Sequence, residues 1–251
     1  MTGIGDSGVP SAVMAYCLGL VASLRALLDH ALSALYVYGS AAVGDFHPQS
    51  SDLDILVVVS RSLSGPEKSG LIRMLWDTAP AVPAKGMECY VVTEQMVASG
   101  GTVRDYELIV NTHPQEPITL DGAAHRGEAP MVEVELARVT GATVFGTPAN
   151  ELIAPFPQSA VQASMVANLK KGMDDAAPEH YLVLNAARSL CYLSTGEHVS
   201  KLEGGRWLLA QGSATEVVGQ ALRAAMGNAR QRSLTTSGRR FVEKTIEDLE
   251  R

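Results

Sequence analysis

Positive charge, cysteine and aromatic residues are all scarce in this chain, and each scarcity excludes something. Lys and Arg number 20 against 27 Asp and Glu, a formal net charge of -7 over 251 residues. Phosphate backbones are gripped by clustered Lys and Arg, so this balance argues against a polymerase-like role on long nucleic acid and suits a small cationic substrate. The three cysteines, Cys17, Cys89 and Cys191, are far apart and lack any CxxC or Cys-His spacing. That excludes a disulfide framework and a cysteine zinc site, and predicts reduced, buried thiols. There is no Gly-Lys-Ser/Thr and no GxGxxG opening a helix, which argues against P-loop and dinucleotide-binding enzymes. No basic n-region precedes an apolar core and no run of about 18 apolar residues is read, so neither export nor membrane insertion is expected. No repeat or low-complexity tract appears.

What is present is an ordinary globular composition, 46% hydrophobic, in a length that allows one large domain or two modest ones. The chain is organised around Leu35 to Ser60, LYVYGSAAVGDFHPQSSDLDILVVVS. This stretch reads as a strand ending at Tyr38, a Gly39-Ser40 turn, a loop containing Gly44, and a second strand entered through Ser51-Asp52-Leu53-Asp54. Successive strand side chains point to opposite faces, so Asp52 and Asp54 project to one side and Leu53 and Ile55 to the other. Two carboxylates at this spacing suit magnesium, which is held by one or two carboxylates plus substrate phosphates, and a nucleoside triphosphate is the implied co-ligand. Gly39 lets backbone approach phosphate oxygens, and Ser40 can donate from its hydroxyl and open a helix whose amides favour anions.

Pro10 to His30 has apolar residues at helical spacing and is expected to pack behind the first strand. Gly65 to Ala79 reads as a helix with Trp76 on its packing face. Gly86 to Thr93 reads as a third strand interrupted by Glu88, a carboxylate that needs a cation or polar partner if buried. Asp105 to Asn111 fits helix or strand, and His113 to Ala124 reads as a loop. His113 and His125 are expected at the surface. Val132 to Thr140 also fits either element, with Glu133 and Glu135 on a solvated acidic face or orienting nucleotide or metal. A boundary is placed near Gly146-Thr147-Pro148. Five helical segments follow: Ser159 to Gly172, Glu179 to Leu193, Lys201 to Gln211, Thr215 to Met226 and Ser237 to Leu249.

The pattern Gly-Ser, loop glycine, Ser-Asp-x-Asp resembles the nucleotidyltransferase fold of the DNA polymerase beta superfamily. With GMECYVVTEQ, VFGTPANELIAPFP and PEHYLVLNAARSLCYLSTGEHVSKLEGGRWLL, the chain is similar to the aminoglycoside adenylyltransferases that modify streptomycin and spectinomycin. The resemblance covers the first hundred residues or so and Thr143 to Gln211. It implies an α+β fold, with a nucleotidyltransferase domain at 1–148, a helical domain at 149–251, and the antibiotic bound between them.

Carried over by residue, it makes Asp52 and Asp54 magnesium ligands, Glu88 the general base, and Gly39, Ser40, Ser51, Arg188 and Lys201 contacts of ATP. Asp174 and Glu179 become contacts of a cationic acceptor. Taken as residues alone, Arg188 reads as a structural ion pair, Lys201 as a surface lysine, and Asp174 and Glu179 as a solvated turn. At positions where streptomycin-modifying members carry tryptophan stand Asn111 and Leu169. That leaves spectinomycin better supported, with streptomycin kept open by Asp174. The expectation is a cytoplasmic, monomeric resistance enzyme whose partners are ATP and an aminoglycoside or aminocyclitol, without nucleic acid or membrane. The alternatives are an adenylyltransferase of protein side chains, an enzyme with a non-antibiotic acceptor, and an inactive nucleotide-binding regulator.

Overall fold

The computed structural model describes residues 8–101, 105–114, 117–124, 130–227 and 232–251. It divides into two compact units, Met1–Pro157 and Gln158–Arg251. The first begins with α1 (Ser11–Leu28), whose buried residues Val13, Cys17, Leu20, Val21, Leu24 and Leu28 recur at helical spacing and form one apolar stripe. By length and composition alone Ser11–Ala31, mean hydropathy 1.7, could cross a membrane, contrary to the reading that no such stretch exists. Its stripe lies in the same core cluster as strand residues Leu35, Val37, Ile55 and Val57, where it packs as a core helix.

Strands β1 (Leu32–Tyr38), β2 (Leu53–Val59), β3 (Met87–Thr93), β4 (Tyr106–Asn111), β5 (Ile118–Asp121) and β6 (Ala142–Phe145) form a mixed sheet in the order β5-β4-β3-β2-β1-β6. β2 and β3 are parallel, and the other pairs are antiparallel. Parallel neighbours need a crossover. Here α3 (Gly65–Thr78) supplies it, opened by a capping box in which Ser64 and Glu67 exchange bonds with each other's backbone. Every second residue of the central strands, Leu53, Ile55, Val57 and Met87, Cys89, Val91, enters the core with α1 and α3. Trp76 packs there as expected, its Nε1 donating to Thr119 Oγ1 at 3.2 Å.

Two ambiguous stretches resolve: 106–111 is strand, and Val132 to Thr140 lies in the helix α5 (Met131–Thr140). The supposed loop after His113 contains β5. Short helices α2 (Ser40–Val43), α4 (Glu94–Ala98) and α6 (Ala149–Leu152) complete the unit. The expected boundary at 148 falls nine residues before the observed division after Pro157. The reason is local: Ala154 N donates to Val97 O at 2.9 Å, and Ile153 and Phe156 are buried, so this segment stays with the sheet.

The second unit is helical: α7 (Gln158–Asp174), α8 (Glu179–Thr195), α9 (Lys201–Ala210), α10 (Thr215–Ala225) and α11 (Thr236–Leu249). α8 packs against the other four around Val183, Leu184, Ala187, Leu208, Val218 and Leu222.

Candidate active site

The sheet face opposite the α1 and α3 core carries the candidate carboxylates Asp54 and Glu88. Strand register places Tyr38 beside Asp54, Asp54 beside Glu88, and Glu88 beside Asn111. Residues directly opposite in a ladder share a face. Four adjacent strands therefore present one row, Tyr38, Asp54, Glu88, Asn111. Alternation works as the sequence implied: Leu53 and Ile55 are fully buried in the core while Asp52, Asp54 and Glu88 are half-buried.

The row behind this one runs Tyr36, Leu56, Tyr90, with Leu56 between the two tyrosines. Tyr90 hydroxyl donates to Glu88 Oε1 at 3.0 Å, and Tyr36 hydroxyl donates to the Thr147 carbonyl at 2.7 Å. Tyr38 is 2% exposed, and its hydroxyl is buried with no hydrogen-bond partner. Burial pushes the Tyr38 phenol well above its ordinary pKa, and the charges of Asp54, Glu88 and Glu133 push it further. The same causes, burial first and then Glu88 and Glu133, push Tyr90 well above its usual range. Both phenols stay protonated, so each remains a donor among carboxylates.

Glu133 on α5 is thus close enough to act on both phenols, and is half-buried, not on a solvated acidic face. Glu135 departs from that expectation as well: it is buried and bonded to Arg138, Nη2 to Oε1 at 2.6 Å.

Gly39 sits at φ 65°, ψ -148°, a conformation closed to other residues, and a Cβ there would overlap Asp54 Oδ2. The glycine gives the Asp54 carboxylate its room. Ser40 follows at the head of α2, but this helix has only four residues, too few for the anion-favouring dipole expected of it. Ser51 Oγ accepts from His47 N at 3.0 Å and closes the loop before β2, so one of its lone pairs serves the loop.

Asp52 Oδ1 is buried without a hydrogen-bond partner. An orphaned buried carboxylate oxygen two residues along the chain from a second carboxylate is the donor chemistry a hard cation takes. Among the described residues no group of three or more His, Cys, Asp or Glu is arranged to hold a metal alone. The Asp52 and Asp54 pair fits magnesium in its two-carboxylate form, with phosphates completing the shell.

In the helical unit, Arg188 is half-buried on α8 where Gly204 of α9 packs close to its backbone, and Lys201 opens α9 with its ammonium 4.9 Å from the centre of the Tyr181 ring. Tyr181 and Arg188, seven residues apart, lie on one side of α8. Asp174 is the exposed last residue of α7.

Glu179 does not stand ready for a substrate. It is 4% exposed and accepts from Arg232 Nε, the Thr235 hydroxyl and, at 3.1 Å, Thr235 N. Burial raises its pKa, but these bonds outweigh burial and hold it below the ordinary value. Its carboxylate ties the start of α8 to the segment before α11. Leu169 is buried in the helical unit, and Asn111 Oδ1 accepts from His113 N at 2.8 Å. His113 is buried, not at the surface, and His125 lies outside the described residues.

Residues 21–90 match the nucleotidyltransferase domain family, and residues 151–249 match the family described as aminoglycoside adenylyltransferase, C-terminal domain. The chain belongs to the aminoglycoside adenylyltransferase family of the nucleotidyltransferase superfamily. It is an enzyme of the nucleotidyltransferase class. Among solved structures, the spectinomycin adenyltransferase AAD(9) from Enterococcus faecialis, with ATP and spectinomycin, shares its fold. That match has a TM-score of 0.74 and 20% identity, covering 94% of this chain and 99% of that one. A toxin-antitoxin structure with AMP-PNP aligns at a TM-score of 0.30 and 13% identity, over 62% of this chain and 90% of that one. No curated protein sequence matches the chain.

For an aminoglycoside adenylyltransferase, the residues near the row that the sequence did not single out are Tyr38 and Tyr90. The two tyrosines carried a readable signal, since Tyr90 is two residues from Glu88 on one strand and Tyr38 directly precedes Gly39. In sequence Glu133 stays open between a solvated face and an orienting role, because only the tertiary packing of α5 on β1 and β2 decides between them.

Proposed function

We propose that the protein transfers AMP from magnesium-ATP to a hydroxyl of an aminocyclitol antibiotic, spectinomycin foremost, with streptomycin as the second acceptor. The row of Asp54 and Glu88 across parallel strands, with the orphaned oxygen of Asp52 two residues before Asp54, is the observation that carries this reading. Family membership and the solved relative bound to ATP and spectinomycin support it.

In this reading Glu88 removes the proton of the acceptor hydroxyl. The acceptor oxygen forms a bond to the alpha-phosphorus, the bond to the bridging oxygen breaks, and pyrophosphate leaves. Asp52 and Asp54 would hold magnesium, which supplies charge neutralisation to the phosphates when bound. Gly39 and Ser40 let the triphosphate approach the backbone. Arg188 and Lys201 are the proposed positive contacts for the triphosphate, where charge develops as pyrophosphate departs. Asp174 remains the proposed partner of a cationic acceptor, whereas Glu179 is withdrawn from that role because Arg232 and Thr235 occupy it. Leu169 in the core in place of a tryptophan supports spectinomycin over streptomycin. Resistance and a cytoplasmic site of action follow from such an activity.

The test is the mass of spectinomycin and of streptomycin after separate incubation with protein, ATP and magnesium, with pyrophosphate followed in parallel. One AMP added to spectinomycin, with pyrophosphate in equal amount, is the expected result. No increment on either drug from protein that binds magnesium-ATP would overturn the acceptor class.

A further inference from the structure

We infer that Gly204 is a positioning residue for the triphosphate: its missing side chain lets α9 close on the root of Arg188 and so sets where that guanidinium stands. This rests on the reading of Arg188 as a triphosphate contact and adds to it the residue that places the charge.

Gly204 and Gly205 occupy consecutive buried positions inside α9. Glycine in a helix interior costs stability relative to alanine, so each needs a reason to be there. Neither has a positive φ, so backbone conformation is not that reason. Close approach is. A Cβ on Gly204 would stand 2.5 Å from Arg188 Cα, 2.7 Å from its Cβ and 2.8 Å from its N. Carbon atoms rest about 3.5 to 4.0 Å apart, so a methyl there would push the two helices apart by about 1 Å. The atoms it meets are the backbone and first carbon of Arg188, which cannot swing aside as the end of a side chain can. Gly205 differs in this respect. A Cβ on it would meet Leu184 Cδ2 at 2.8 Å and Leu222 Cδ2 at 3.0 Å, the far ends of flexible core side chains.

The crossing lies beside the charged groups of this unit. Lys201 and Gly204, three residues apart, share one side of α9, as Tyr181 and Arg188 share one side of α8. With the Lys201 ammonium 4.9 Å from the centre of the Tyr181 ring, both cations are rooted along one helix contact. Among the described residues Arg188 forms no ion pair, which leaves its guanidinium to an anion from outside the fold. Arginine recognises phosphate through a rigid planar fork, so its contribution depends on placement more than that of a point charge does. Misplacement of a positioned group by about 1 Å costs on the order of a hundredfold at a reacting centre, so a shift of that size at the root of Arg188 is large enough to measure.

The test uses the full chain and magnesium-ATP, with affinity measured by calorimetry and stability by denaturant titration on the same preparations. Arg188→Ala is expected to weaken magnesium-ATP about ten- to a hundredfold, and Gly204→Ala about three- to thirtyfold. Gly205→Ala inserts the same methyl one residue along, and is expected to change stability while affinity stays at the wild-type value. In the Arg188→Ala background Gly204→Ala is expected to add less than it does alone, since it acts through Arg188. Wild-type affinity in Gly204→Ala, a matching loss in Gly205→Ala, or an equal loss from Gly204→Ala in both backgrounds overturns the positioning role while leaving Arg188 as the contact. Wild-type affinity in Arg188→Ala overturns the contact and the inference together. Arg188→Lys leaves the helix contact untouched and decides the matter if Gly204→Ala does not fold. Placement of the fork predicts a loss close to that of Arg188→Ala, and affinity near wild type, showing that charge suffices, contradicts the inference.

Discussion

Two glutamates of this molecule, Glu88 in the sheet and Glu179 in the helical unit, were both read from sequence as site residues, and their surroundings separate them. Glu179 meets a guanidinium, a hydroxyl and a backbone amide, all of them donors that stabilise its charge. Glu88 stands in register with a second carboxylate, Asp54, and accepts from the Tyr90 hydroxyl. A carboxylate neutralised by its own fold holds structure together. One gathered with another carboxylate invites a cation or a proton from outside, and that is the signature of a site.

The contrast is broken most severely in the sheet. Asp54→Asn is expected to lower adenylyl transfer by about 10³-fold, and chelation of magnesium to abolish it, while the unit stays folded. Pyrophosphate release followed by a coupled assay checks both, and activity in excess chelator would remove the two-carboxylate metal reading. Next comes Gly39→Ala. A methyl there meets Asp54 Oδ2 in a backbone conformation reserved for glycine, so a stability loss of about 2 kcal/mol or more is expected together with lost activity. Denaturant titration alongside transfer would show whether the two losses coincide.

The helical side should respond in the opposite sense. Glu179→Gln is expected to cost about 2 kcal/mol of stability and to leave kcat per folded molecule unchanged. The pH dependence follows from its depressed pKa. Because the folded value lies below the ordinary 4.5, the stabilisation is fully present above that value and is lost as pH falls through the folded one. The wild type should therefore lose stability below about pH 4.5 more steeply than Glu179→Gln, as thermal melts at a series of acidic pH values would record. The smallest effect concerns the thiols. Burial pushes Cys17 and Cys89 up to about 12, so neither is expected to react with a thiol reagent at neutral pH in the native protein, which mass spectrometry of labelled protein would check.

The same comparison marks what the sequence could disclose. Strand alternation has a period of two, so the half-buried Asp54 between the fully buried Leu53 and Ile55 was legible from spacing alone. So was Glu88 as the odd polar residue in an apolar strand. The long helices of the second unit were legible from their periodicity to within a few residues. What escaped depends on contacts between distant segments. Glu179 was misread because Arg232 and Thr235 lie more than fifty residues away in sequence. Val132 to Thr140 alternates as a strand does, yet packs as a helix over β1 and β2, which is why the setting of Glu133 stayed open at the level of sequence. The division near 148 followed a Gly-Thr-Pro turn, whereas Ala154 still bonds back to Val97.

The central claim is that Glu88 is the base in a nucleotidyl transfer centred on this row. Its most direct measurement is transfer of AMP to spectinomycin and streptomycin by Glu88→Gln beside wild type, with magnesium-ATP affinity determined by calorimetry on the same preparations. The account predicts that transfer falls by about 10²–10⁴-fold while ATP affinity stays within a few-fold. Transfer at the wild-type rate by Glu88→Gln would contradict it.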